Sequence, residues 1–121
     1  PNTIMAAIEK NKKDRNFKNL KENFQILKKS TDTNGKKFKI IKIPMPKPIY
    51  INKVQVPASY LNFYIANKIV LLPTFNDKND KKVFYIFKKF FKTRKVIPID
   101  CSDLIWGFGA IHCMTQQEPL I

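Results

Sequence analysis

Long apolar runs are missing from this chain of 121 residues. Nowhere do about eighteen apolar residues follow one another, which excludes a membrane-spanning helix. The opening Pro1-Asn2-Thr3-Ile4 leads into polar, charged sequence and does not read as a signal peptide. Cysteine is scarce, with only Cys101 and Cys113. Without an export signal the expectation is a cytoplasmic chain with two free thiols rather than a disulfide. No set of residues has metal-ligand spacing and no glycine-rich phosphate loop follows a strand, so neither a metal nor a cofactor is expected. Acidic residues are also few, 9 against 23 Lys and Arg, which leaves a net charge of +14. Such a charge suits nucleic acid, because clustered cations neutralise phosphates. Arginine, however, is nearly absent, with only Arg15 and Arg94. Bidentate recognition of phosphate or guanine favours Arg, so a basic nucleic-acid-binding module is the weaker alternative. A chain rich in Lys, Ile and Asn is equally what an AT-rich coding sequence produces.

What the chain does contain is enough for one modest α/β (α+β) domain. Its apolar fraction is 44%, ordinary for a globular protein. Phe17, Leu20, Phe24 and Leu27 recur at three- and four-residue steps and predict a helix from about Ile4 to Ser30. Asn34-Gly35 marks its stop. Phe38 to Ile43 alternates as a short strand, and Pro44, Pro46 and Pro48 then stiffen an extended loop to about Pro57. Tyr60 to Ala66 and Ile69 to Leu72 read as two strands joined at Asn67-Lys68. Asn76 to Asp80 supplies helix caps, and Val83, Phe84, Phe87, Phe90 and Phe91 give the buried stripe of a helix from about Asp80 to Lys92. Lys95 to Ile99 is the next strand. The second half is thus strand, strand, helix, strand.

Near the C-terminus stands Gly107-Phe108-Gly109-Ala110-Ile111-His112-Cys113-Met114-Thr115-Gln116-Gln117-Glu118-Pro119. Glycines let a backbone fold tightly around a reactive group, and a cysteine held there can act as a nucleophile. This string resembles the nucleophile motif of agmatine deiminases and bacterial-type peptidylarginine deiminases, in the guanidine-modifying (pentein) superfamily. Pro57-Ala58-Ser59-Tyr60-Leu61-Asn62-Phe63-Tyr64 is similar to a second motif of the agmatine branch, and Phe38 to Pro48 and Pro73 to Asp80 resemble further segments.

The resemblance implies a partial five-module β/α propeller. Residues 1–50 would be the tail of one module, 58–100 a complete strand-strand-helix-strand module, and 101–121 the closing segment with the nucleophile. It implies that the Cys113 thiolate attacks a guanidinium carbon, that ammonia departs, and that water hydrolyses the resulting thiouronium. The activity implied is conversion of agmatine to N-carbamoylputrescine in putrescine biosynthesis, with a citrulline-forming peptidylarginine deiminase as the alternative. Relatives are roughly three times longer, and their general-base histidine stands in a His-x-Asp arrangement that does not occur here. The chain therefore looks like a C-terminal third, expected to be inactive alone. It would work with a companion chain or in a homo-oligomer, or serve as a non-catalytic fragment.

Asn62 and the backbone at Gly107 and Gly109 are the candidate substrate contacts, although an amide can equally cap a strand and glycines can equally serve turns. His112 is read as structural, because neighbouring side chains on a strand point to opposite faces and its ring could not serve Cys113. Asp77, Asp80 and Asp103 occupy turn or cap positions that usually serve the backbone. Cys101 reads as an inert thiol, and Trp106 and Phe108 as core.

Overall fold

A computed structural model describes residues 2–119 as two compact units, one up to Met45 and one from Pro46. Pro1 and residues 120–121, the outer ends of the first and last expected segments, lie outside the described residues.

The first unit is a β-α-β motif. Strand β1 (Thr3–Ile8) pairs in parallel with β2 (Lys39–Pro44), from Thr3 opposite Lys39 to Ile8 opposite Pro44. Helix α1 (Phe17–Lys29) connects them. The helix expected from Ile4 therefore begins thirteen residues later, with Ile4 inside a strand. Local side chains explain the delay. The Glu9 carboxylate accepts from the amides of Lys10 and Asn11, Asn11 from Lys13, and Asp14 from Asn16. Short polar side chains that capture nearby amides compete with a helix ladder. The strand itself depends on a partner 36 positions away (Thr3 to Lys39), which a local apolar period cannot reveal. Phe17, Leu20, Phe24 and Leu27 do form one half-buried stripe, although no residue of α1 is fully buried. After the helix, Asp32 organises the turn by accepting from Asn34 and Lys36, while Gly35 takes φ +76°. Only the left-handed region offers that φ, and glycine enters it without cost.

The second unit carries the strand-strand-helix-strand order expected of it. Strands β5 (Tyr64–Ile65), β6 (Ile69–Thr74) and β7 (Lys95–Asp100) lie side by side in that order, with β5 antiparallel and β7 parallel to β6. Helix α2 (Asp80–Phe90) joins β6 to β7. Before them, β3 (Tyr50–Ile51) and β4 (Val54–Gln55) form a small hairpin inside the stretch expected to be loop. Its turn residues Asn52 and Lys53 have φ of 48° and 65°, the primed geometry that suits the twist of a two-residue hairpin.

The core of this unit is Val70 and Leu72 from β6, Val83 and Phe87 from α2, and Val96 from β7, with Tyr60, Phe75 and Ile105 from the connections. The Phe87 ring meets Phe63 edge-on at 4.9 Å and Phe91 at 5.6 Å. Burying an aromatic or branched side chain contributes about 1.5–3 kcal/mol each, so this cluster is a main anchor of the sheet to its helix.

One correction bears directly on the site. The first strand of the strand-strand-helix-strand segment is not Tyr60–Ala66 but only Tyr64–Ile65. Residues 59–62 form a turn instead, with the amide of Asn62 donating to the Ser59 carbonyl and that of Leu61 to the Ser59 hydroxyl. Fully buried Tyr60 pins this turn by donating its hydroxyl to the Asp80 carboxylate at 2.6 Å. Burial foremost, and then that carboxylate, push the phenol well above its ordinary range. Asp80 also accepts from the amides of Phe75 and Asp77, which ties the 59–62 turn to the start of α2.

Candidate active site

After β7, buried Cys101 and Ile105 fix the chain, which turns at residues 104–107 and again at His112–Met114. Between these turns Ala110 and Ile111 are buried, while Cys113 at the second turn is exposed. The expected strand through His112 and Cys113 is thus a tight 3-10 turn, closed by Met114 donating to Ile111 and Thr115 to His112. The buried pair before it acts as a hydrophobic foot that lifts the thiol to the surface.

Gly109 explains why the turn can sit so close. A Cβ on residue 109 would stand 2.7 Å from the Cys113 Cβ and 3.1 Å from its Sγ, well inside the roughly 3.5–4.0 Å of ordinary carbon contact. Nothing of the kind holds at Gly107, where an added Cβ would meet no atom within 4 Å. Phe108, between them, takes φ 61°. A bulky residue in the left-handed region is strained and invites explanation.

Asn62 and Cys113 are 51 positions apart and meet through two side-chain hydrogen bonds. The Asn62 Nδ2 donates to the Cys113 Sγ at 2.9 Å, and the Cys113 amide donates to the Asn62 Oδ1 at 3.2 Å. The His112 amide adds a third tie, to the Asn62 carbonyl at 3.2 Å. A single asparagine thereby grips both ends of the cysteine. The electrostatic result is a thiol held below its ordinary range, first by the Asn62 amide and then by a backbone bond from Ala110. Hydrogen bonds offered to the charged form favour that form, and the thiolate is the nucleophilic species.

The remaining candidates fall away from this centre. His112 is exposed and its ring makes no hydrogen bond among the described residues; it serves through its backbone. Asp77 is 8% exposed and accepts from the amides of Lys47 and Asn79, so it and Asp80 serve the backbone, as their turn positions predict. Asp103 precedes the 104–107 turn and is exposed. Cys101 is buried and free, and burial pushes its thiol upwards. Trp106 and Phe108, expected in the core, are instead 64% and 56% exposed. Two short turns of backbone leave no second layer to cover them. No group of three or more His, Cys, Asp or Glu among the described residues could hold a metal ion. Sequence reasoning missed the brace of Tyr60 and Asp80 behind Asn62, because a bond between residues 20 positions apart leaves no periodic trace.

The sequence profile of the Porphyromonas-type peptidyl-arginine deiminases matches residues 1–119. The chain belongs to that family. A Legionella pneumophila (strain Paris) protein provisionally named an agmatine deiminase is 37% identical over 120 residues, covering 98% of this chain and 35% of the relative. The agmatine deiminase of Medicago truncatula is 30% identical over 141 residues, covering all of this chain and 38% of its own. Among solved structures, the agmatine deiminase of Enterococcus faecalis superposes with a TM-score of 0.90 at 25% identity, over 98% of this chain and 37% of that one. The chain thus spans 35–38% of the length of these family members.

Proposed function

We propose that the chain is the nucleophile-bearing part of an agmatine deiminase-type hydrolase of the cytoplasm, acting in putrescine biosynthesis. The carrying observation is the exposed Cys113 thiol with the Asn62 amide at 2.9 Å. In this reading the thiolate forms a bond to the guanidinium carbon of agmatine, and one C–N bond breaks to release ammonia. Water then attacks the thiouronium carbon, the thiolate leaves, and N-carbamoylputrescine remains. Sulfur suits both halves, as a strong nucleophile near neutral pH and a competent leaving group. The chain would form part of a five-module propeller, with its strand-strand-helix-strand portion as one module.

The base that moves protons to ammonia and from water comes from outside these 121 residues. The single histidine, His112, is followed by Cys113 and Met114 and is not part of a His-x-Asp pair. The chain alone is therefore inactive, and a companion segment or chain completes the site. The family description favours a second reading, citrulline formation from peptidylarginine.

A chimera tests both readings. This chain replaces the matching third of the Enterococcus faecalis enzyme, and ammonia and N-carbamoylputrescine are measured from agmatine. Turnover that disappears in Cys113→Ala is the expected result. Turnover that survives Cys113→Ala contradicts the nucleophile assignment, and preference for an arginyl peptide over agmatine supports the second reading.

A further inference from the structure

Asn62 grips Cys113, yet Asn62 itself belongs to no helix or strand. It ends the 59–62 turn, before β5 begins at Tyr64. All four of its polar groups are engaged: its amide donates to Ser59, its carbonyl accepts from His112, and its side chain bonds Cys113 twice. Hydrogen bonds weaken steeply with angle, so a small displacement of Asn62 is felt directly at the thiol. Something other than regular structure must hold it in place.

The side chains on either side of Asn62 supply that hold, and both reach helix α2. Two residues earlier, fully buried Tyr60 sets its ring edge-on to Phe75 at 5.6 Å and donates its hydroxyl to Asp80, the first residue of α2. One residue later, the Phe63 ring meets Phe87 of α2 at 4.9 Å. Asp80 and Phe87 are seven positions apart on α2, which is about two turns, so they share one face of the helix. The two holds differ in kind. Apolar contact is non-directional and lets groups slide. The hydroxyl-carboxylate bond, at 2.6 Å, is short, charge-assisted and directional, and the amides of Phe75 and Asp77 fix the carboxylate in turn. Packing alone would be served by phenylalanine, which fills the same core without a buried hydroxyl to satisfy. The hydroxyl is the part of Tyr60 that packing does not explain.

We propose that Tyr60 and Asp80 are a positioning pair for Cys113: their bond fixes the 59–62 turn against the start of α2 and so sets where Asn62 presents its amide to the thiol. The proposal rests on the nucleophile reading of Cys113 and deepens it with two residues that act on the thiol only through Asn62.

Iodoacetamide reaction at Cys113 of the full chain, followed by peptide mass across pH, tests it. Asn62→Ala removes the amide donor to the thiol and defines the whole effect, an alkaline shift of the midpoint. Tyr60→Phe is expected to shift the midpoint the same way by part of that amount. Asp80→Asn loosens the brace from its other end, with the Tyr60 hydroxyl in place, and does the same. In the Asn62→Ala background, Tyr60→Phe moves the midpoint no further, because coupled residues do not add. Val96→Ala opens a cavity in β7 and lowers stability while leaving the midpoint where it was. A wild-type midpoint in Tyr60→Phe, a shift that persists undiminished without Asn62, or an equal shift in Val96→Ala overturns the positioning role while the nucleophile reading stands. Failure of that reading shows in the wild-type chain, as a Cys113 midpoint at that of an ordinary thiol, and the positioning role then falls with it.

Discussion

Gly109→Ala is the smallest change that reaches the Cys113 thiol. The added methyl would lie 2.7 Å from the Cys113 Cβ and 3.1 Å from its Sγ. Against a contact distance of about 3.5–4.0 Å the overlap approaches 1 Å, and the neighbours it presses on are a short side chain and a braced turn. Gly109 is buried, so the methyl cannot turn towards solvent. Inserting a methyl into packed surroundings typically costs about 1–3 kcal/mol. Replacing glycine by alanine at an ordinary φ restricts the unfolded chain and returns about 0.4–1 kcal/mol. The net expectation is a loss of about 0–2.6 kcal/mol. Gly107→Ala is the matched control: nothing stands within 4 Å of its Cβ, so only the stabilising contribution remains. Urea unfolding of both variants beside wild type measures the difference. Relief of the overlap should also push Cys113 away from Asn62, so Gly109→Ala slows alkylation of the thiol at neutral pH. Equal stability of the two glycine variants, with unchanged alkylation, would refute the close-approach reasoning.

Asn62→Asp keeps the shape of the grip but removes the Nδ2 donor and sets a carboxylate oxygen beside Sγ. Its folded-state thiol therefore titrates at higher pH, and the pH profile of Cys113 alkylation moves to the alkaline side. Tyr60→Phe removes the hydroxyl bond to Asp80, while Asp80 keeps the amides of Phe75 and Asp77. A loss of about 1–2 kcal/mol in urea unfolding is expected, at the low end for a bond to a charged group. Phe108→Gly removes a left-handed strain of about 1–2 kcal/mol and adds the chain entropy of glycine, about 0.5–1 kcal/mol. A small rise in the urea midpoint at constant slope is expected.

The parts of the fold legible in the sequence are those whose signal is local. The apolar steps of Val83 and Phe87 mark α2, and the runs at Ile69 and Lys95 mark β6 and β7, each within a residue or two of the observed bounds. Strand β1 was illegible because its partner is β2, far along the chain, while its own residues also fit a helical stripe. At the site, motif resemblance singled out Asn62, Gly107, Gly109 and Cys113, whereas the tie between Asn62 and Cys113, 51 positions apart, is tertiary. Cys113 reads as a strand residue until the turn at His112–Met114 is seen. Asn62, read from the motif as a candidate substrate contact, has its amide on the thiol, a tie no local pattern shows. Trp106 and Phe108 were assigned to the core by residue type, yet exposure depends on whether a layer of chain covers them.

The central claim is that Asn62 and the turn at residues 112–114 make Cys113 the reactive thiol of this chain. Its most direct test is the rate of iodoacetamide reaction at each cysteine as a function of pH, with the two sites separated by peptide mass. Cys113 should react first, with a midpoint below that of an ordinary cysteine, while buried Cys101 stays unreacted until the chain unfolds. A Cys113 midpoint at or above that of a free cysteine, or Cys101 reacting as fast, would contradict the account.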